Sequence, residues 1–185
     1  MVESGLVSSI LPLLNNESVR NIINKILPRL VKVIPGPIYL YGKAPLFEYL
    51  RRYAERNPDK TALIYYGRKI TYKELDNLSD KFANALSDLG IKKGDRVALF
   101  LQNSPQYYIC HFGVQKIGAV VVPCNPMYKQ FELEHVVSDS GAETIVTLDQ
   151  LYPIVRDIKD EIDLKNIIVT SYWDFKIENH VVYQK

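Results

Sequence analysis

The sequence predicts an α/β fold in which helices and a β-hairpin precede a parallel sheet built from βα repeats. Three observations carry this expectation. From Val97 onward, short apolar runs alternate with helix-length stretches. The apolar runs are continuous rather than alternating, as in strands with both faces covered. Gly118 and Gly141 stand where helices would stop and strands begin, so right-handed crossovers between parallel neighbours are the economical connection.

The opening 45 residues differ from the rest, with Arg20, Lys25, Arg29, Lys32 and Lys43 set against Glu3 and Glu17. Val19, Ile22, Ile23, Ile26, Leu27 and Leu30 recur at helical spacing and predict an amphipathic helix. Pro12 interrupts the apolar stretch before it, Pro28 kinks or stops it near Leu27, and Pro35-Gly36-Pro37 closes the segment in a turn. Residues 1–45 are therefore expected to be a helical extension. Its apolar face is expected to dock on the protein itself or on a partner subunit such as a second copy, with membrane-surface contact as the lesser alternative.

Residues 46–185 are expected to form one subdomain. Leu46, Tyr49, Leu50, Tyr53 and Ala54 make one helical face ending at Asn57-Pro58. Thr61 to Tyr66 and Lys69 to Ile70 flank Gly67-Arg68, read as the two-residue loop of a hairpin. Thr71-Tyr72-Lys73-Glu74 is a capping box, with Ile70 and Leu75 as its hydrophobic staple. Leu75, Leu78, Phe82, Ala85, Leu86 and Leu89 then hold one face until Gly90. Strands are expected at Val97–Leu101, Ala119–Val122, Thr144–Thr147 and Ile167–Thr170. Helices are expected at Pro105–Ile117, Phe131–Ser138 and Leu151–Glu161, with Ser104 as the N-cap before Pro105.

Composition narrows the function. With 47% hydrophobic and 24% charged residues the chain is ordinary globular protein, and 23 basic against 21 acidic residues give no field to gather nucleic acid. Cys110 and Cys124 fit neither a disulfide framework nor a zinc spacing, and read as small buried apolar residues in a reducing cytoplasm. No apolar run reaches the length of a membrane span, and Glu3 stands where a basic leader region would.

Ligands of a doubly wound sheet bind beyond the C-terminal ends of its strands. Those ends read Gln102-Asn103-Ser104, Pro123-Cys124-Asn125-Pro126, Leu148-Asp149 and Ser171-Tyr172. Neither GxGxxG nor GxxxxGK[ST] occurs, which excludes dinucleotide and P-loop cradles. Asp149 alone is acidic there, too little for the magnesium site of a phospho-receiver. His111, within a helix, reads as a packed residue, His135 and His180 as surface residues, and Tyr107-Tyr108 as packing with one ring facing out.

Between Leu46 and Thr147 the capping box, GDRVAL (Gly94–Leu99), Asn103-Ser104-Pro105, GAVVVP (Gly118–Pro123), Asn125-Pro126 and Asp139-Ser140-Gly141-Ala142 follow one another. In order and spacing they resemble the opening of the adenylate-forming superfamily, and most closely its AMP-forming, fatty-acid-type acyl-CoA synthetases. That resemblance implies an incomplete subdomain of the adenylate-forming fold. It also implies a ligase that activates a carboxylic acid, a fatty acid by the overall match, with ATP and magnesium and transfers the acyl group to CoA. The family's phosphate loop, its Tyr-Gly-x-Thr-Glu segment, its ribose Asp and its C-terminal-domain Lys match no position in this sequence. Residues 1–185 are accordingly expected to be catalytically silent. The resemblance places Cys124 and Asn125 in a loop on the CoA side, although the acetyl-CoA branch has a glycine pair there and a packing loop is the plainer reading. A noncatalytic interaction or structural module with a synthetase-like fold is the alternative.

Overall fold

A computed structural model of the chain describes residues 43–175, together with Glu17, Ser18, Asn21, Ile22, Lys25 and Ile26. The chain divides into two compact units, Met1–Gly42 and Lys43–Lys185. In the first, the six described residues are helical and exposed. The rest of the expected amphipathic helix, with Pro12, Pro28 and the Pro35–Pro37 turn, lies outside the described residues, as does His180.

The second unit begins with helix α1 (Leu46–Arg56), which buries Leu50 and Ala54. Strands β1 (Thr61–Tyr65) and β2 (Arg68–Thr71) follow as an antiparallel hairpin. Its two-residue loop is Tyr66-Gly67 rather than Gly67-Arg68. Tyr65 pairs with Arg68, and both loop residues take positive φ, 43° and 82°, as the tight turn matching the strand twist requires.

Helix α2 (Tyr72–Asp88) starts as the capping box predicts, with Thr71 Oγ1 accepting from the Glu74 backbone N–H at 3.1 Å. The Glu74 carboxylate is committed elsewhere, pairing with Arg68 Nη2 at 2.7 Å. The buried stripe is rotated from the expected one: Leu75, Ser79, Ala83 and Leu86 face inward, Leu78 and Phe82 are half-buried, and Ala85 and Leu89 are exposed. The cause lies on helix α3 (Pro105–Lys116). A Cβ at Gly113 would come within 2.7 Å of Phe82 Cδ1 and 3.0 Å of the Ser79 carbonyl. The helices meet backbone to backbone there, so small residues define the seam and the large ones flank it. Lys116, its side chain only 3% exposed, bonds Asp76 and Asp80 across that seam at 2.6 and 2.7 Å.

Strands β3 (Arg96–Phe100), β4 (Val120–Pro123), β5 (Thr144–Leu148) and β6 (Asn166–Thr170) form one parallel sheet in the order β4-β3-β5-β6. The chain leaves β3 for β4 on one side, then passes back across β3 to β5 and β6. Alternate residues of β3 serve opposite cores. Val97 and Leu99 pack with α2 and α3, while Ala98 and Phe100 pack with helices α4 (Gln130–Ser140) and α5 (Tyr152–Ile158). A third cluster, around Leu50, Ile70, Leu75 and Ile109, seats α1 and the hairpin, and confirms Ile70 and Leu75 as packing partners. Edge positions Val120 and Val169 are each 48% exposed. Helix α5 is shorter than expected, the chain instead winding through turns that bury Ile162.

Helices α2, α3 and α4 end alike. At the first of these ends Gly90 has φ 84°, and the Ile91 N–H reaches back to the Leu86 carbonyl at 3.1 Å. Ala119 and Ala142 make the same bond to Val114 and Val137 after Gly118 and Gly141, and all three following residues are buried.

Candidate functional site at the C-terminal edge of the sheet

The crossovers from β3 and β5 depart in opposite directions, so the crevice between their C-terminal ends is where such a sheet ordinarily takes a ligand. Here the chain's own groups close it. Gln106, in the first turn of α3 and 4% exposed, donates from Nε2 to the Ser171 carbonyl at 2.6 Å, reaching across from β3 to the end of β6. The short 3₁₀ turn Tyr172–Phe175 that follows is fixed by Asp174, whose Oδ2 accepts from the Ser171 N–H at 2.9 Å and from Thr170 Oγ1 at 2.7 Å. The hairpin packs on this turn. The Arg68 guanidinium lies 4.8 Å from the Phe175 ring centre. Tyr65, Tyr66 and Tyr172 gather at the hairpin tip: burial, reinforced by Tyr66 and Tyr172, pushes the Tyr65 phenol up to about 12. Burial, with Tyr66 and Asp149 nearby, raises Tyr172 as well.

Ser104 does not cap α3 with its side chain. Its backbone is extended as an N-cap should be, but the Tyr107 N–H goes to the Ser104 carbonyl at 3.1 Å, and the hydroxyl is buried with no partner among the described residues. At the end of β4, Cys124 is 4% exposed and points into the core shared with Leu133 and Val137. Burial pushes its thiol up to about 11, so it stays protonated at neutral pH. Asn125 is exposed, and its Oδ1 accepts from the Met127 N–H at 3.0 Å, bending the loop that displays Met127 and Phe131 to solvent. Of the two expected CoA-side residues, then, Cys124 has only backbone to present, while Asn125 has both side chain and backbone on the surface. Asp149 is exposed and accepts from the Gln150 N–H.

His111 is no catalytic base in this arrangement. Burial holds it below its ordinary value, its Nε2 contacts Gln115 Nε2 at 2.9 Å, and its ring stacks on Tyr107. The adjacent Cys110 is buried and its thiol pushed up to about 12. His135 is exposed, and of the Tyr107-Tyr108 pair the second ring is the one facing out, as the sequence predicts.

Among the described residues no group of three or more His, Cys, Asp or Glu side chains could hold a metal ion. None of the strand ends carries a glycine loop that could cradle phosphates. The described residues therefore fit neither magnesium nor the triphosphate of a nucleotide. Sequence reasoning missed Gln106 and the tyrosine cluster. Their partners lie far along the chain, and the one local signal was the unusual placement of a Tyr before Gly67 in a tight turn.

The model of the AMP-binding enzyme family matches residues 50–182. The chain belongs to that family. Over 142 residues, 77% of this chain and 25% of the relative, it is 40% identical to a long-chain-fatty-acid–CoA ligase of Bacillus subtilis strain 168. It is also 40% identical over 111 residues to a crotonobetaine/carnitine–CoA ligase of Salmonella paratyphi A, covering 57% of this chain and 22% of that one. Among solved structures, a long-chain-fatty-acid–CoA ligase from Archaeoglobus fulgidus superposes with a TM-score of 0.68 at 28% identity, over 77% of this chain and 31% of that one. The mixed α/β fold with its hairpin and parallel sheet thus matches the N-terminal part of acyl-CoA ligase folds. This member of the AMP-binding family spans about a quarter of the length of the curated relatives it matches. Among its described residues no helix is long and apolar enough to cross a membrane.

Proposed function

We propose that this chain is the scaffolding part of an AMP-forming acyl-CoA ligase that converts a fatty acid, ATP and CoA into acyl-CoA, AMP and pyrophosphate. The observation that carries the reading is the 40% identity to a long-chain-fatty-acid–CoA ligase across 77% of the chain. The geometry agrees with a scaffolding role. The crevice of the sheet is bridged by the Gln106 bond to the Ser171 carbonyl, and among the described residues neither a phosphate cradle nor a carboxylate cluster is at hand. Magnesium and the phosphates are accordingly held by polypeptide beyond residues 1–185, and these residues alone do not adenylate. The Cys124–Asn125 loop faces the CoA side, offering backbone groups and the Asn125 amide. The enzyme works in the cytoplasm on an acid delivered from solution.

Carboxylate-dependent exchange between pyrophosphate and ATP tests this reading with acetate, octanoate and palmitate. Residues 1–185 should show none, since loss of a single preorganised donor costs about 10²–10³ in rate and here the whole set is missing. A polypeptide extended to the length of the relatives should show exchange. Activity of residues 1–185 would overturn the division of labour, and a silent longer polypeptide would favour a noncatalytic module.

A further inference from the structure

At the opposite end of the sheet, the start of α1 and the end of α3 enclose a shallow groove of about 640 Å³. Leu46, Phe47, Ile117 and Ala119 make it mostly apolar, and Leu46 is 54% exposed although it heads an otherwise packed helix. Two lysines border it, with different duties. Lys116 is spent on Asp76 and Asp80. The stem of Lys93 lies so close to Gly118 that a Cβ there would come within 3.0 Å of its Cγ, and its ammonium has no ion pair among the described residues. Gln115 also lines the groove. One end of its amide meets His111 Nε2 at 2.9 Å, and the other end is buried without a partner among the described residues.

We propose that this groove binds an amphiphilic monocarboxylate, its aliphatic chain along Leu46, Phe47, Ile117 and Ala119 and its carboxylate against Lys93. Apolar walls beside one uncommitted cation favour that combination over a neutral or cationic amphiphile, because only an anion supplies the charge that Lys93 lacks. The site is separate from the strand ends at which the ligase reading is argued, so it stands or falls independently of that reading.

Isotope-labelled residues 1–185, titrated below micelle formation with dodecanoate, dodecanol and dodecylammonium, provide the test. Dodecanoate should give saturable amide shifts at Leu46, Phe47, Gln115 and Ile117, with dodecanol binding roughly three- to fivefold more weakly, as suits a partly exposed charge contact. Lys93→Glu should abolish the preference for dodecanoate and leave dodecanol binding in place. Leu46→Glu should weaken both. Both side chains are exposed, so unchanged resonances elsewhere will verify folding. Absence of saturable shifts at these residues would overturn the proposal, as would equal affinity for the three head groups or an unaltered preference in Lys93→Glu.

Discussion

Gln106 and Ser171, 65 positions apart, are joined by a 2.6 Å hydrogen bond that fastens the first turn of α3 to the end of β6. Replacing Gln106 with Ala strands the Ser171 carbonyl and opens a small void, and should cost about 1–3 kcal/mol of stability. Urea unfolding of the variant measures it. The tyrosine fluorescence of the hairpin tip should change in the same variant, since Tyr172 follows the residue that is released.

Gly113 is where α2 and α3 come closest. Gly113→Ala should gain about 1 kcal/mol in helix propensity and lose more to the contact with Phe82 and the Ser79 carbonyl, for a net destabilisation of about 1–2 kcal/mol. Phe82→Ala, at a half-buried site, should cost about 2 kcal/mol rather than the 3–5 kcal/mol of a fully buried ring. Combined, the two substitutions should be less than additive because Phe82 is one of the atoms in the way. A double-mutant cycle by urea unfolding decides it.

His111 makes stability depend on pH. Burial lowers its folded pKa below the ordinary 6.5, so as pH falls through 6.5 the unfolded chain takes up a proton before the folded one does. Stability contributed at this site is intact above 6.5 and declines below it. His111→Gln should flatten that part of the profile, seen as a smaller drop in the urea midpoint between pH 7.5 and 5.5 than in the parent.

Both thiols are shielded, with burial pushing Cys110 to about 12 and Cys124 to about 11. Iodoacetamide at pH 8 should leave both unmodified in the folded protein and alkylate both in urea. Intact-mass spectrometry reads the outcome. Rapid labelling of Cys124 in the folded state would show that the loop after β4 opens.

Among the described residues the two edge strands of the sheet differ in how they are defended. Strand β4 ends in Pro123, which has no N–H to offer, whereas β6 carries Ile167, Ile168 and the half-exposed Val169 without such a break. Residues 1–185 should therefore self-associate at high concentration, as a homodimer joined through β6. Val169→Lys should shift light scattering towards the monomer. A parent chain that stays monomeric would remove the edge from consideration.

Much of this architecture was legible from local pattern. The continuous apolar runs located all four strands of the parallel sheet to within a residue or so, and Gly90, Gly118 and Gly141 marked three helix ends. The α2 stripe was misread because apolarity alone favoured Leu78, Phe82 and Leu89. Its orientation is set by the missing side chain at Gly113, on a helix that the α2 sequence does not reveal. The hairpin loop slipped by one residue because Gly67 was given the first position of the turn, whereas Tyr66 accepts positive φ there. At the sheet's C-terminal edge, Asn125 could be placed on a surface loop from sequence, but the inward turn of Cys124 could not be separated from an outward one. The Gln106 tie was invisible, because a side chain's distant carbonyl partner leaves no local trace.

The way α2, α3 and α4 end has a consequence for how this unit can change in length. Each glycine is followed at once by a residue already sealed in the core, and after Gly118 and Gly141 helix passes to strand with almost no slack on that rim, whereas the exposed Lys92, Lys93 and Gly94 separate Ile91 from β3. An inserted residue at 90–91, 118–119 or 141–142 would pull Ile91, Ala119 or Ala142 out of its seat and disturb the strand behind it. The opposite rim joins strand to helix through exposed positions such as Gln102, Asn103 and Met127, where added residues displace only water. Changes in length are thereby channelled to the rim at the C-terminal ends of the strands.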